Sequence, residues 1–362
     1  MVHFRDSIED AIEQAIADGQ IPGAVCLIGR GDETLCHVTV GDRAVEPERL
    51  PMESHTIFDL ASLTKVVATT TVVMQLVERR VLSLEDTVRG WLPGFTGDGR
   101  DGATVRHLLA HSSGVPGHVN YMQRLGAGIA ASERRERVLS EICALPPAYT
   151  PGSDVIYSCL GFILLHAIIE AASGRSLDTL AAESVFKPLQ MRDTCFRPQA
   201  EMISRCAATE QLPEQTLLGV VHDENARYLG GVSGNAGLFS TAGDLSRFMR
   251  MLASGGELER ARILRQESVE EMFDEQAASG NIRRCLGWRL PVTDDLHMHG
   301  APTAESIGHT GYTGTCVWLD RASGVYLILL TNRVHLGRSA EIDPVRRRVG
   351  EIVASLIAEM RR

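Results

Sequence analysis

Apolar residues recur one helical turn apart near the start of the chain, at Ile8, Ile12 and Ile16, with charged residues between them. That spacing puts the three on one stripe and predicts an amphipathic helix, capped by Ser7 with Asp10 three residues on and stopped at Gly19. The pattern then changes. Residues 24–41, AVCLIGRGDETLCHVTVG, are two β-rich runs about Gly31-Asp32 and predict a hairpin. From 63 to 81 apolar residues cover most of the helical circumference, which predicts a long buried helix. Shorter helices are expected over 103–111 and 160–174, the second stopped by Gly174. Near the end, GTCVWLD (314–320) and VYLILLTN (325–332) flank a turn at Ala322-Ser323-Gly324 and predict a second hairpin. A final helix is expected from Asp343 as N-cap, with Pro344 in the first helical position.

Strands therefore lie toward both ends and helices between them. Terminal strands can pair into one antiparallel sheet covered by the first and last helices, so the expected fold is α+β, one domain over 1–362 with an inserted, mostly helical lobe. The expected sheet lobe takes roughly 1–60 and 230–362, and the helical lobe roughly 61–229. A chain of 362 residues, 44% hydrophobic and 23% charged, can bury a core of that size. Its net charge of -10 supplies no attraction to nucleic acid or to an anionic membrane, and neither is an expected partner. The N-terminus has no apolar run behind a basic start, and no segment is long and apolar enough to span a bilayer, so a cytoplasmic location is expected. The eight cysteines are scattered without C-x-x-C and are expected as free, mostly buried thiols. No oligomeric state is implied.

Candidate chemistry starts with lysine, which is scarce: Lys65 and Lys187 stand against 34 arginines. Both fit S-x-x-K, as Ser62-Leu63-Thr64-Lys65 and Ser184-Val185-Phe186-Lys187. Lys187 precedes Pro188, which pushes its backbone away from helical geometry, so the second pair is not expected to share a helix face. Ser62, in contrast, opens the long apolar helix. At i, i+3 its side chain and that of Lys65 point the same way, about 5–6 Å apart at Cβ. Burial among Val66, Val67 and their neighbours favours a neutral lysine, able to act as a general base. The helix N-terminus beside Ser62 favours developing negative charge. A helix cap followed by a snorkelling lysine shows the same pattern, so the motif alone leaves both readings open.

Two further stretches bear on the choice. DVIYSCLGF (154–162) sets Tyr157 just ahead of a helix, and SIGHTGYTGTCVWLD (306–320) sets His309-Thr310-Gly311 at the start of a strand. Ser-x-x-Lys, Tyr-x-Asn and Lys/His-Thr-Gly, in that order, form the motif set of the serine β-lactamase and penicillin-binding-protein superfamily. The chain resembles its class C branch, which includes esterases, D-amino-acid peptidases and acyltransferases. TVRHLLAHSSGVPG (104–117), YTPGSDVIYS (149–158), FKPLQMRDTCF (186–196) and NAGLFSTAGDLSRF (235–248) extend the resemblance over nearly the whole chain. It implies that Ser62 forms an acyl-enzyme and that Lys65 and Tyr157 share the general-base and general-acid work. It also implies an oxyanion hole from the backbone N–H groups of Ser62 and Tyr312, substrate contacts from Cys159, His309, Thr310 and Gly311, and no metal or organic cofactor. The implied substrate is a small ester, amide or short peptide.

The chain departs from the pattern twice. Cys159 stands where Asn is usual, and a thiol is a weaker donor to a substrate amide. His309 replaces Lys, and a histidine only partly charged near neutral pH attracts a carboxylate less strongly. Both departures point away from penicillin-like compounds and toward a smaller or neutral acyl compound. The leading expectation is a serine hydrolase. The alternatives are a DD-carboxypeptidase, D-amino-acid peptidase or β-lactamase, an acyltransferase in small-molecule biosynthesis, and a non-catalytic binding member of the fold.

Other features change the picture less. VHDENARYLGG (221–231) sets His222 ahead of the Gly-rich stretch 229–241, where His222 either stabilises the loop or lines the cleft. His107 and His111 have a zinc-compatible spacing, but no glutamate follows His107, so packing or capping is expected. No metal role is expected for His297 and His299, and Trp288 and Trp318 are expected in the core.

Overall fold

The computed structural model describes residues 2–292 and 294–362. Four of the helices are α1 (Val2–Ala17), α2 (Thr71–Glu78), α3 (Cys159–Ser173) and α4 (Asp343–Met360). The main sheet is antiparallel and has six strands: β1 (Gly23–Arg30), β2 (Glu33–Ala44), β3 (Leu50–Pro51), β4 (Ser306–Thr310), β5 (Cys316–Asp320) and β6 (Val325–Thr331). Their order is β4-β5-β6-β1-β2-β3. Both expected hairpins form, and β1 pairs with β6 from Ala24↔Thr331 to Arg30↔Val325, which joins the two ends of the chain.

β1 and β6 are buried along almost their whole length because both faces of the sheet are covered. On one face Ile8 and Ile12 of α1 and Val345, Val349 and Val353 of α4 pack on Cys26, Ile28, Trp318 and Leu329. The side chains that alternate with these, Val25, Leu27, Ile328 and Leu330, turn to the other face and join the large core shared with the helical segments. All eight cysteines are free, and no single described helix is long and apolar enough to cross a membrane.

Several boundaries differ from expectation for local reasons. α1 starts at Val2, so Ser7 lies inside it instead of capping it; Phe4 extends the Ile8–Ile12 stripe by one more turn. α4 has Ile342 at its N-cap position, and the Asp343 carboxylate is taken by His299 and Arg346. The apolar run from 63 to 81 is helical but not one α-helix. It opens as a 3₁₀ turn (Ala61–Leu63), widens into a π-helical stretch (Lys65–Thr70) and only then becomes α2. Val66, Val67, Thr69, Thr70 and Thr71 are β-branched and crowd a normal turn, and Thr71 Oγ1 donates to Val66 O at 2.9 Å inside the widened turns. Lys187 keeps helical angles (φ -63°, ψ -48°) in spite of Pro188, because buried Val185, Phe186 and Leu189 hold the turn against the proline's bias.

Candidate active site

Ser62 is lifted toward solvent by the residues before it. The short strand Phe58–Asp59 pairs with Leu238–Ser240, which fixes the direction in which the chain enters the turn. The fully buried Asp59 carboxylate then accepts from Ala61 N at 2.8 Å and His222 N at 2.7 Å. Burial pushes this carboxyl up to about 6, against the pull of those two N–H groups. Ala61 adopts φ +47°, a left-handed conformation that costs a non-glycine residue about 1–2 kcal/mol. That bend leaves Ser62 half-buried at the floor of an open cleft of ≈ 690 Å³. Thr64 Oγ1 closes the turn by donating to Ala61 O at 2.7 Å and accepting from Leu238 N at 3.1 Å.

Lys65 lies directly beneath, with no exposed surface. Its Nζ is 3.0 Å from Ser62 Oγ, 2.8 Å from Asn235 O and 3.5 Å from Cys159 Sγ. Three acceptors match the three donors of an ammonium, not the two of a neutral amine. Burial alone favours the neutral form, but Cys159 and Tyr157 outweigh it, and the pKa of Lys65 lies above its ordinary value. The expected neutral lysine is therefore corrected: Cys159 and Tyr157, both absent from the local sequence, reverse the effect of burial. Asn235 O gets this close because Gly234 lies against α3, where a Cβ would sit 2.2 Å from Phe162 O.

Tyr157 is held from behind. Ser158 caps α3 by accepting from Gly161 N and donating to Pro116 O, while its own N–H goes to His111 Nδ1 at 3.0 Å. The His111 ring lies 4.6 Å from that of Tyr157. His111 is thus more than helix-end packing: it fixes the tyrosine loop, whereas His107 completes a capping box with Thr104. Lys65 Nζ and the Arg284 guanidinium both lie 5.1 Å from the centre of the Tyr157 ring.

The third wall is the turn after β4. Gly311 packs so tightly on the serine turn that a Cβ would meet Leu60 O at 2.6 Å. Thr313 Oγ1 donates to Asp59 O at 2.8 Å and Thr315 Oγ1 to Leu60 O at 3.1 Å. These contacts clamp the turn to Ser62, and among the described residues the N–H groups of Ser62 and Tyr312 have no acceptor. His309 is buried, and burial together with the charges of Lys65 and Arg284 holds its pKa well below the ordinary imidazole value. It is neutral near pH 7, not partly charged.

The cleft brings together Ser62, Tyr157, Cys159, His222, His309, Thr310, Gly311 and Tyr312. His222 does both things considered for it: its N–H ties the loop to Asp59, and its ring stacks on Tyr312 at 5.6 Å. Burial disfavours the Cys159 thiolate, but Lys65 and a hydrogen bond from His118 outweigh it and lower its pKa. Residues not anticipated include Asp59, His118 and the arginines Arg284, Arg289, Arg333, Arg338 and Arg346. With 34 arginines in the chain, no spacing marked these five. Among the described residues, no group of three His, Cys, Asp or Glu side chains could hold a metal ion.

The chain is similar to several known proteins. A Bacillus subtilis (strain 168) protein named N-acetylmuramyl-L-alanine amidase is 31% identical over 367 aligned positions, covering 93% of this chain and 82% of the relative. An Escherichia coli (strain K12) protein named "Putative D-alanyl-D-alanine carboxypeptidase" is 33% identical over 310 positions, covering 77% of this chain and 70% of the relative. Among solved structures, EstCE1, titled a hydrolase with promiscuous acyltransferase activity, superposes with a TM-score of 0.78 at 23% identity, over 96% of this chain and 98% of its own. At that identity the likeness is one of fold. The family model described as Beta-lactamase matches residues 8–351, and the chain belongs to that family.

Proposed function

We propose that this protein is a serine hydrolase that cleaves an ester or amide through an acyl-enzyme on Ser62. The observation that carries the reading is Lys65, wholly buried with Nζ 3.0 Å from Ser62 Oγ. Ser62 Oγ bonds to the acyl carbon while the N–H groups of Ser62 and Tyr312 hold the oxygen that gains charge. The bond to the leaving group then breaks, and the Ser62 proton reaches that group through the Lys65–Tyr157 pair. Water attacks the acyl-enzyme next, the same pair takes its proton, and Ser62 is regenerated as the acid leaves. Because Lys65 is surrounded as an ammonium, we assign to it the stabilisation of charge beside Ser62 Oγ.

Hydrolysis of a short-chain p-nitrophenyl ester by the wild type and Ser62→Ala, with fluorophosphonate labelling traced to Ser62, tests the reading. Loss of turnover and of label in the variant is expected; turnover near the wild-type rate in Ser62→Ala overturns it. A second reading, cleavage of an amide in a peptide, is favoured by the names of the two relatives. Release of terminal D-alanine from a D-Ala-D-Ala peptide supports it, and no release at high enzyme counts against it. Acyl transfer, named in the EstCE1 title, is distinguished by product analysis with and without an added amine or alcohol.

A further inference from the structure

Five arginines line the cleft, and three of them are committed to the protein. Arg346 donates to Gly311 O and Thr315 O, Arg333 to Arg338 O and Ala340 O, and Arg338 pairs with Glu210 and Glu224. Arg284 and Arg289 are different. Among the described residues neither has a carboxylate partner or a side-chain hydrogen bond, and the Nε of each is sealed from solvent without an acceptor. Arg284 is only 7% exposed.

Their placement is set by the backbone. Arg284 and Arg289 face each other across an antiparallel bridge, and Arg289 is bridged in turn to Gly308, next to His309. Directly opposed residues have Cβ atoms about 4.5–5.5 Å apart on one face of a sheet, where like charges repel. Burial, then the charges of Arg284 and Arg346, pushes the Arg289 guanidinium down to about 9. Burial also lowers that of Arg284. Arg284 is buried and Arg289 half-buried. Of the carboxylates that line the same cleft, Asp343 is engaged by His299 and Arg346 and Glu224 by Arg338, and none of them is paired with either guanidinium, so the two form a site left open for negative charge. A single carboxylate compensates one of the two guanidiniums; a dianion compensates both, and two planar forks can bind it with paired hydrogen bonds.

We propose that Arg284 and Arg289 form one subsite for a doubly negative group of the substrate, a phosphate-type dianion or two neighbouring carboxylates, on the Tyr157 side of Ser62. This reverses the expectation of a smaller or neutral acyl compound, which rested on Cys159 and His309. It rests on the serine-hydrolase reading only for the position of the reacting bond.

Calorimetric titration at constant ionic strength, at a pH where phosphate is doubly ionised, tests it with inorganic phosphate, malonate and acetate. Saturable binding of phosphate or malonate is expected, at least about tenfold tighter than acetate, unchanged in Ser62→Ala and weakened at least about tenfold by Arg284→Gln. Phosphate binding without malonate binding identifies the group as phosphate-type, and the converse identifies it as a dicarboxylate. Equal affinity for acetate, no saturable binding of either dianion, or binding that survives Arg284→Gln overturns the proposal. Arg284→Gln should melt no lower than the wild type without anion, since a buried repulsion is removed. If it fails to fold, Arg284→Lys keeps the charge, loses the fork and must still weaken dianion binding. Ester hydrolysis with no dianion binding sinks this inference alone, and dianion binding with full hydrolysis by Ser62→Ala sinks only the proposed mechanism.

Discussion

Ser62–Lys65 and Ser184–Lys187 share a spacing, and each pair lies on a helical stretch that departs from regular α geometry. Their surroundings differ at each point. Ser184 Oγ is bound to Gln75 Oε1 at 2.6 Å and Leu180 O at 2.7 Å, so its hydroxyl is occupied by the core, and Lys187 is exposed. Ser62 opens to a cleft, and Lys65 is sealed beneath it between acceptors from three separate segments. The spacing brings a serine and a lysine to one face. What makes a reactive pair is the arrival of Asn235, Cys159 and the turn after β4, none of which lies near Ser62 in sequence.

The contrast can be broken most directly at the serines. Ser62→Ala should lower ester turnover by at least about 10⁴-fold, the scale seen when a nucleophile is removed. Ser184→Ala should keep turnover within about twofold and lose about 1 kcal/mol of stability with its hydrogen bonds. Comparable activity losses in both variants would show that the two sites were misassigned. The clamp on the turn comes next. Thr315→Val removes the bond to Leu60 O and should reduce kcat by about tenfold or more with little change in KM, because Tyr312 N–H drifts from the developing oxyanion.

Asp59 gives a pH-dependent test of the serine turn. Its pKa is raised in the fold, from 3.8 to about 6, so the stability it contributes is present below about pH 4 and is lost as pH rises through about 6. Asp59→Asn lacks that slope. Its unfolding free energy relative to the wild type should climb by up to about 3 kcal/mol from pH 4 to pH 7, read by chemical denaturation at each pH. A flat difference contradicts the buried carboxylate. Smaller still, an inflection of kcat/KM near pH 6–7 should come from Asp59 and His118 and be lost when both are replaced (Asp59→Asn with His118→Gln), because His309 and His111 are held well below that range and stay neutral. An inflection that survives contradicts this. Lys187→Ala, at the exposed copy, should change stability by no more than about 0.5 kcal/mol and leave activity unaltered.

Much of this was legible in one dimension because it depends on local spacing. The Ile8–Ile12–Ile16 stripe, the two hairpins and the stop at Gly174 follow from periodicity and turn chemistry, and the structure contains them. The α1 start and the π-helical stretch at Lys65–Thr70 were not legible, since Phe4 and the threonines act through packing and through bonds five residues apart. His111 looked like helix-end packing because its partner, the Ser158 N–H, is 47 residues away. Arg284 and Arg289 were hidden among many arginines, and only their pairing across a bridge singles them out.

By itself, then, the sequence determined the element types, the α+β class, the family motifs and the candidate nucleophile, because each rests on neighbours within a helical turn or a strand. The charge state of Lys65, the neutrality of His309 and the cationic wall were decided only in the tertiary structure. Ionisation depends on desolvation and on charges within a few ångströms, and here those charges come from segments tens to hundreds of residues apart.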